Sequence, residues 1–329
     1  MNYLGSKVRL SEFIFNVISN SVDQKLSDCS FFDLFAGTGA VGNYFYSKVK
    51  SIGYNDREYY SYILNSAFYS EVGEGRYQSM LDELNQLEGM EGFIFQEYSE
   101  SGSAGRLYFS ANNGKKIDSM RLYIEQLFQC SEINEDLYIL LIATLLVAAD
   151  KVANTASVYC AYLKNLKKTA TFNIELNPIK RAMTFVEYKV HKDDSNMLIK
   201  NITGDILYLD PPYNGREYGS YYHLLNTISI YDTKFQPKGK TGIRSYETSK
   251  FCLKKEADKA LLEILNSADF KHIFLSYNNE GFISQSRIKE MMTALGHYEC
   301  SSLKYPRFTS HRGDPKSYTE ESLHHLIKY

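Results

Sequence analysis

The chain has 329 residues, enough for one large domain or two ordinary ones. With 44% hydrophobic residues, 23% charged residues and a formal net charge of −2, it reads as a soluble globular protein without a globally basic surface for nucleic acid. Its five cysteines stand far apart with no CxxC pair, so neither a zinc site nor a disulfide framework is expected, and a reducing cytoplasm fits.

In chain order, Val8, Phe13, Ile14, Val17 and Ile18 fall at helical spacing and predict a helix over 8–22, after an opening NYLGSK turn. A strand over 30–35 runs into FFDLFAGTGAVG, where Gly37, Gly39 and Gly42 spell G-x-G-x-x-G. A helix through 41–46, a strand over about 49–54 ending in Asn55-Asp56, and a tyrosine-rich helix at 58–70 complete a βαβ opening. Residues 71–120 are polar, and EGRYQ, EGMEGF, ESGSAG and ANNGKK read as turn material. Long helices are predicted over 117–168. Within them LYILLIATLLVAA at 137–149 is short for a membrane span and reads as a buried core helix. Strands resume with GDILYL at 204–209, then at 271–277 and near 323–328. An α/β sheet is therefore expected, interrupted by a mostly helical insertion over 71–189.

The glycine turn permits close approach of a ligand to backbone, and the helix that follows favours negative charge. Asp56, nineteen positions after Gly37, stands where an acid would accept bonds from ribose hydroxyls. Nicotinamide dinucleotides and S-adenosylmethionine both fit this turn, so it does not choose between them. LYLDPPYNGREY at 207–218 does choose. Pro211 and Pro212 lack an N–H and have fixed φ, so the strand stops at a rigid corner. The Asp210 carboxylate and the neighbouring carbonyls offer acceptors to an exocyclic amino group such as adenine N6. That arrangement orients the nitrogen lone pair and stabilises positive charge developing on it. Tyr213 is placed to stack on the base, a contact typically worth ~1–3 kcal/mol.

The pairing of GTGAVG with DPPY resembles the Dam-like (α-group) adenine-N6 DNA methyltransferases, and the resemblance runs along nearly the whole chain. It implies a Rossmann-like α/β methyltransferase sheet with helices on both faces and a catalytic domain over 1–70 and 190–329. The insertion 71–189 would be the target-recognition region. The resemblance implies an S-adenosylmethionine site with Tyr3, Gly5 and Lys7 from NYLGSK, Asp33 near the amino group, and Phe35, Gly37, Gly39 and Asp56 around the turn. An acid near the cofactor adenine, Asp194 in preference to Asp193, and Asp210 complete it. Asp210, Pro211, Pro212 and Tyr213 would form the catalytic corner, with no metal and no covalent intermediate. Ser6 and Asp33 depart mildly from the family pattern, which carries glycine and glutamate there.

For double-stranded DNA, phosphate contacts must come from local basic stretches. Residues 234–255 hold seven Lys/Arg and one acid, including Lys238, Lys240 and Arg244, and read as a loop. LKNLKK, read as a helix end, and the segment from Arg307 through Arg312 to Lys316 are further candidates. Asn214, Arg216, Tyr218, Tyr221, Tyr222 and His223 follow the DPPY corner and would lie beside a flipped base or plug the gap it leaves, unless Tyr222 and His223 simply pack a helix over 220–230. His324-His325 reads as surface or edge-strand material without a role. The expected enzyme is thus a cytoplasmic, monomeric, site-specific DNA adenine methyltransferase with no membrane association. It would serve in a restriction-modification system beside a cognate endonuclease, or as an orphan methylase. A cytosine-N4 methyltransferase, a methyltransferase for another amino group, a non-catalytic DNA-binding relative and an NAD-dependent oxidoreductase are the alternatives. The last leaves NYLGSK and DPPY without a use.

Overall fold

The computed structural model describes residues 7–306 and 318–329. In its first half the chain forms α1 (Ser11–Ser21), β1 (Ser30–Asp33), α2 (Gly42–Phe45), β2 (Ser51–Asn55) and α3 (Tyr59–Phe68). Then come α4 (Glu74–Gln86), α5 (Phe93–Tyr98), α6 (Ala111–Gln129) and α7 (Glu135–Val152). The second half adds β3 (Glu187–His191), α8 (Ser195–Leu198), β4 (Thr203–Leu209), α9 (Tyr218–Tyr221) and α10 (His223–Ile230). It closes with α11 (Ala257–Ser267), β5 (Asp269–Asn278), α12 (Gln285–Thr293), β6 (Gly296–Pro306) and β7 (Tyr318–Lys328).

Two compact units result. Among the described residues, the sheet unit comprises 7–57, 184–217, 248–306 and 318–329. Its seven strands lie in the order β3-β2-β1-β4-β5-β7-β6. The first five pair in parallel, while β7 runs antiparallel to both β5 and β6. Strand order reverses between β1 and β4, which makes their carboxyl ends the switch point where ligands bind in open α/β sheets. Side chains alternate across the sheet. Phe32, Leu34, Leu207, Leu209, Ile273 and Leu275 join one core with Leu261 and Ile264 of α11 and Ile288 and Met292 of α12. On the opposite face Phe31 stacks on Phe45 of α2 at 4.4 Å, and Phe45 meets Phe15 of α1 at 5.4 Å. Helices therefore cover both faces, which a parallel sheet buried on two sides requires.

The helical unit takes in Glu58–Met183 and Tyr218–Glu247. These bounds differ from the 71–189 insertion expected from sequence. Tyr60 and Ile63 of α3, Tyr222, and Leu225 and Ile228 of α10 share one apolar core with Ile117, Ile124, Leu140, Leu141 and Leu145 of α6 and α7. The run at 137–149 is indeed a buried core helix, and among the described residues no helix is long and apolar enough to cross a membrane.

Several local expectations need correction. Residues 71–120 are not mainly turns, because α4 buries Tyr77, Met80, Leu81 and Leu84 at helical spacing behind a polar outer face. The start of α5 is satisfied from a distance: Ile94 N and Phe95 N donate to the Asp118 carboxylate of α6 at 2.8 and 2.7 Å. LKNLKK is no helix end. Helix α7 stops at Val152, and the buried Asn154 side chain bonds Leu107 O, Leu163 O and Lys167 N to order the turns that follow. Strands β3 and β6 had no sequence signal, since they are the sheet's edges and β3 carries no fully buried residue. His324 and His325 are wholly interior because β7 inserts between β5 and β6. The His325 ring stacks on Phe274 at 4.2 Å, and burial pushes both imidazoles down to about 4, so they stay neutral.

Candidate active site

The glycine turn grows directly out of β1. Leu34 N donates to Tyr208 O of β4 at 3.1 Å, and Ala36 N donates to Asn55 O of β2 at 2.8 Å, so the turn hangs from both neighbouring strands. Gly37 (φ 52) and Gly39 (φ 75) occupy the left-handed region that favours glycine. Gly42 serves packing instead: a Cβ there would stand 2.1 Å from the Tyr54 ring. Asp56, just past β2, accepts from Gly37 N at 2.8 Å, so the expected ribose acid also braces the turn.

Asn55 is a site residue that sequence reasoning missed as such. Its side chain donates to Leu34 O and Asp193 O, both at 3.2 Å, and accepts from Asp193 N at 2.9 Å. It thereby clamps the glycine turn to the segment before α8. There Asp194 caps α8, accepting from Asn196 N and Met197 N, and pairs with Arg57 at 2.7 Å. Asp193 points its carboxylate toward His191 at 3.6 Å and is more exposed.

Asp33, the last residue of β1, is 2% exposed and its Oδ1 has no hydrogen-bond partner. Burial, and next the charge of Asp210, push its pKa up to about 8, against backbone donors at Gly42 and Phe35. Phe35 lies edge-on to Phe251 at 5.3 Å.

Asp210 follows β4 at once. Lys7 reaches it from the chain start, with Nζ 2.9 Å from Asp210 Oδ1 and 2.9 Å from Glu321 Oε1 of β7. Burial works against the ammonium, but the two carboxylates outweigh it and hold its pKa well above the usual lysine value. For Asp210, burial outweighs Lys7 and Glu321 adds to it, giving a pKa of about 6. Ser276 of β5 donates to the same Glu321 oxygen at 2.5 Å. Ser276 and Glu321 lie in LSYNNEGF and the C-terminal YTEESLHH, stretches similar to the family, but neither was expected as a site residue; the pairing of β5 with β7 brings them to this spot.

Beyond the corner, Pro211 is buried, while Pro212 and Tyr213 are half-buried. The Tyr213 ring lies edge-on to Tyr277 at 6.3 Å, and its carbonyl accepts from Phe282 N at 2.8 Å, which fixes the corner against the sheet. Asn214 turns the chain by accepting from Arg216 N at 3.1 Å, leaving Arg216 exposed. In the helical unit Tyr218 opens α9 and stacks on Tyr222 at 6.2 Å. Lys238 and Lys240 are exposed on a tight turn closed by a Lys238–Ile243 bridge. Arg244 pairs with Asp232 at 3.0 Å and lies over the Phe235 ring, so much of it is committed to the scaffold. Tyr3, Gly5, Arg307 and Arg312 lie outside the described residues. Among the described residues no group of three or more metal-ligating side chains occurs.

A mostly parallel seven-stranded sheet with an antiparallel β7, a glycine turn after β1 and an acidic corner after β4 define an S-adenosylmethionine-dependent methyltransferase of Rossmann-like fold. The family model of the D12 class N6 adenine-specific DNA methyltransferases matches residues 3–291, and the chain belongs to that family. It is 48% identical to the type II methyltransferase M.NlaIII of Neisseria lactamica, over 100% of this chain and 99% of that relative. It is 32% identical to M.CviAII of Paramecium bursaria Chlorella virus 1, over 94% and 92% of the two chains. M.FokI of Planomicrobium okeanokoites is 34% identical across the whole chain, which spans 53% of that longer protein. Among solved structures, the rRNA methyltransferase aviRa of Streptomyces viridochromogenes shares 9% identity over 97% of this chain and 84% of its own, with a TM-score of 0.34. The reaction is methylation of adenine N6 in DNA, with S-adenosylmethionine as donor. The residues present fit that donor, since the orphaned, buried Asp33 oxygen suits a cationic amino group and the left-handed glycines leave room beside the backbone.

Proposed function

We propose that the Asp210–Pro211–Pro212–Tyr213 corner receives the target adenine and that the end of β1 and its glycine turn hold the cofactor. The observation that carries this reading is the placement of Asp33 and Asp210 at the carboxyl ends of adjacent strands at the sheet's switch point. When bound, S-adenosylmethionine supplies an electrophilic methyl carbon on a sulfonium. Asp210 accepts a hydrogen bond from N6 and turns its lone pair out of the ring plane. Its negative charge then offsets the positive charge that gathers on nitrogen. Pro211 and Pro212 keep the acceptor from rotating away, and Tyr213 stacks on the base, offsetting part of the cost of extruding it from the duplex. Asp33 holds the amino end of the donor, Lys7 lies within reach of its carboxylate, and Phe35, Asp56 and Asp194 flank the remainder.

The helical unit is the candidate target-recognition region, and the exposed Lys238, Lys240 and Arg216 are candidate phosphate or base-gap contacts. The similarity to M.NlaIII and M.CviAII supports a place in a restriction-modification system, beside an endonuclease that cuts the same site. We place the enzyme in the cytoplasm as a monomer, which sedimentation at working concentration would check. The deciding experiment is expression in a methylation-free host with mapping of modified bases. N6-methyladenine at one recurring sequence is the expected result. N4-methylcytosine, or no modified base, would overturn the reading.

A further inference from the structure

Lys7, Asp210 and Glu321 form a largely buried cluster in which one ammonium serves two carboxylates. Lys7 is 6% exposed and Glu321 2%, and the Nζ lies 2.9 Å from an oxygen of each acid. Ser276 fixes the Glu321 oxygen that Lys7 uses. Such an arrangement poses a problem for the chemistry. A lysine bound to Asp210 alone would draw off the negative charge that N6 needs, and would bring a cation close to a nitrogen that is itself becoming positive. A second carboxylate on the same ammonium eases both difficulties. It balances the lysine, and the pair Asp210 plus Glu321 keeps one net negative charge in excess of Lys7. The Ser276 hydroxyl and the β5–β7 pairing hold Glu321 there without help from substrate.

We propose that Glu321 is a positioning residue for methyl transfer: it shares Lys7 with Asp210, so that the negative charge of Asp210 is not spent wholly on the lysine and stays available to the target amine. The proposal rests on the assignment of N6 to Asp210 made above. Glu321 acts through Lys7 and does not touch the adenine. Among the described residues, the charged and titratable groups around Asp210 include Lys7, Glu321, Asp33, Tyr208 and Tyr213. Among them Lys7 favours the ionised form of Asp210, and Glu321 opposes it.

The test uses the full chain, tritiated S-adenosylmethionine and plasmid DNA from a methylation-free host, under single-turnover conditions. Glu321→Gln should lower the plateau rate by about tenfold or more, with the dissociation constant for S-adenosylmethionine held within about threefold. The acid limb of its rate profile, expected near pH 6 in the wild type, should move to lower pH, because a negative neighbour of Asp210 is gone and Lys7 turns wholly to it. A purely structural role would lower rate and affinity together and leave the limb in place, and that result overturns the proposal. So does an unchanged rate. In a Lys7→Met background, Glu321→Gln should have no further effect on rate, and an undiminished effect there overturns the route through lysine. If Glu321→Gln does not fold, Ser276→Ala decides, with a smaller rate loss and a limb shift of the same sign expected. A Ser276→Ala enzyme with wild-type rate and limb overturns the proposal. Asp210→Ala separates the two readings: if it methylates normally, the adenine assignment itself falls. If it is inactive while Glu321→Gln behaves as wild type, only the role of Glu321 falls.

Discussion

The two units bury charge in opposite ways. In the helical unit the wholly buried charges Asp118 and Arg121 have their partners, while the half-buried Arg244 leaves one nitrogen unbonded. Asp118 accepts from Ile94 N, Phe95 N and the Tyr231 hydroxyl. Arg121 donates to Ile228 O, Ser229 O, Glu125 and the Tyr138 hydroxyl. Buried tyrosines there follow the same rule, Tyr77 meeting Thr144, Tyr98 meeting Gly242 O, and Tyr159 meeting Asp150. In the sheet unit Asp33 has an orphaned oxygen, and two acids, Asp210 and Glu321, share one lysine. A satisfied buried charge specifies a fold, while a surplus of one sign at a strand end waits for a ligand of the other sign. S-adenosylmethionine, with a sulfonium and an ammonium against one carboxylate, carries the matching excess of positive charge.

The strongest way to break this contrast is Asp210→Ala. Loss of a group aimed at developing charge should cost ~10²–10³ in the single-turnover rate, with thermal stability near wild type, read by methyl incorporation and a melting curve. Asp33→Asn should come next. Donor affinity falls by about tenfold, a typical worth for one charge-assisted hydrogen bond, measured by calorimetric titration. The same variant sharpens the electrostatic side. Because the folded-state pKa of Asp33 is raised from 3.8 to about 8, the folded chain holds a proton that the unfolded chain has lost across that window. Its contribution therefore makes stability decline as pH rises toward 8, and Asp33→Asn should flatten that decline in melting temperature. In the helical unit the signs reverse. Asp118→Ala strips the donors at Ile94 and Phe95 of their acceptor and should cost about 2–3 kcal/mol in denaturant unfolding, with donor affinity unchanged. Smallest of all, Lys238→Ala or Lys240→Ala should weaken DNA binding only a few-fold. Each should reduce the salt slope of log K by about 0.9, seen by fluorescence anisotropy across a salt series. An unchanged slope would remove that turn from the DNA interface.

Much of this protein was legible in its residues taken in order. Glycines that need a left-handed backbone, a double proline that must end a strand and an apolar run too short to cross a membrane each state their geometry locally. So GTGAVG, the DPPY corner, β1, β4 and α7 could be placed from sequence. What depends on partners far along the chain could not. Edge strands β3 and β6 lack the apolar alternation that a buried face imposes. The polar α4 and the distantly capped α5 looked like turns, and His324 and His325 became interior only because β7 slides between β5 and β6. Glu321 and Asn55 gained their places at the site in the same way, by strand pairing and by a clamp reaching from β2 to residue 193. Local steric rules act over a few residues and can be read in the chain. Charge balance at the carboxyl end of β4 is a sum over groups from three distant parts of the chain, and only the folded sheet brings Asp210 and Glu321 within 3 Å of Lys7.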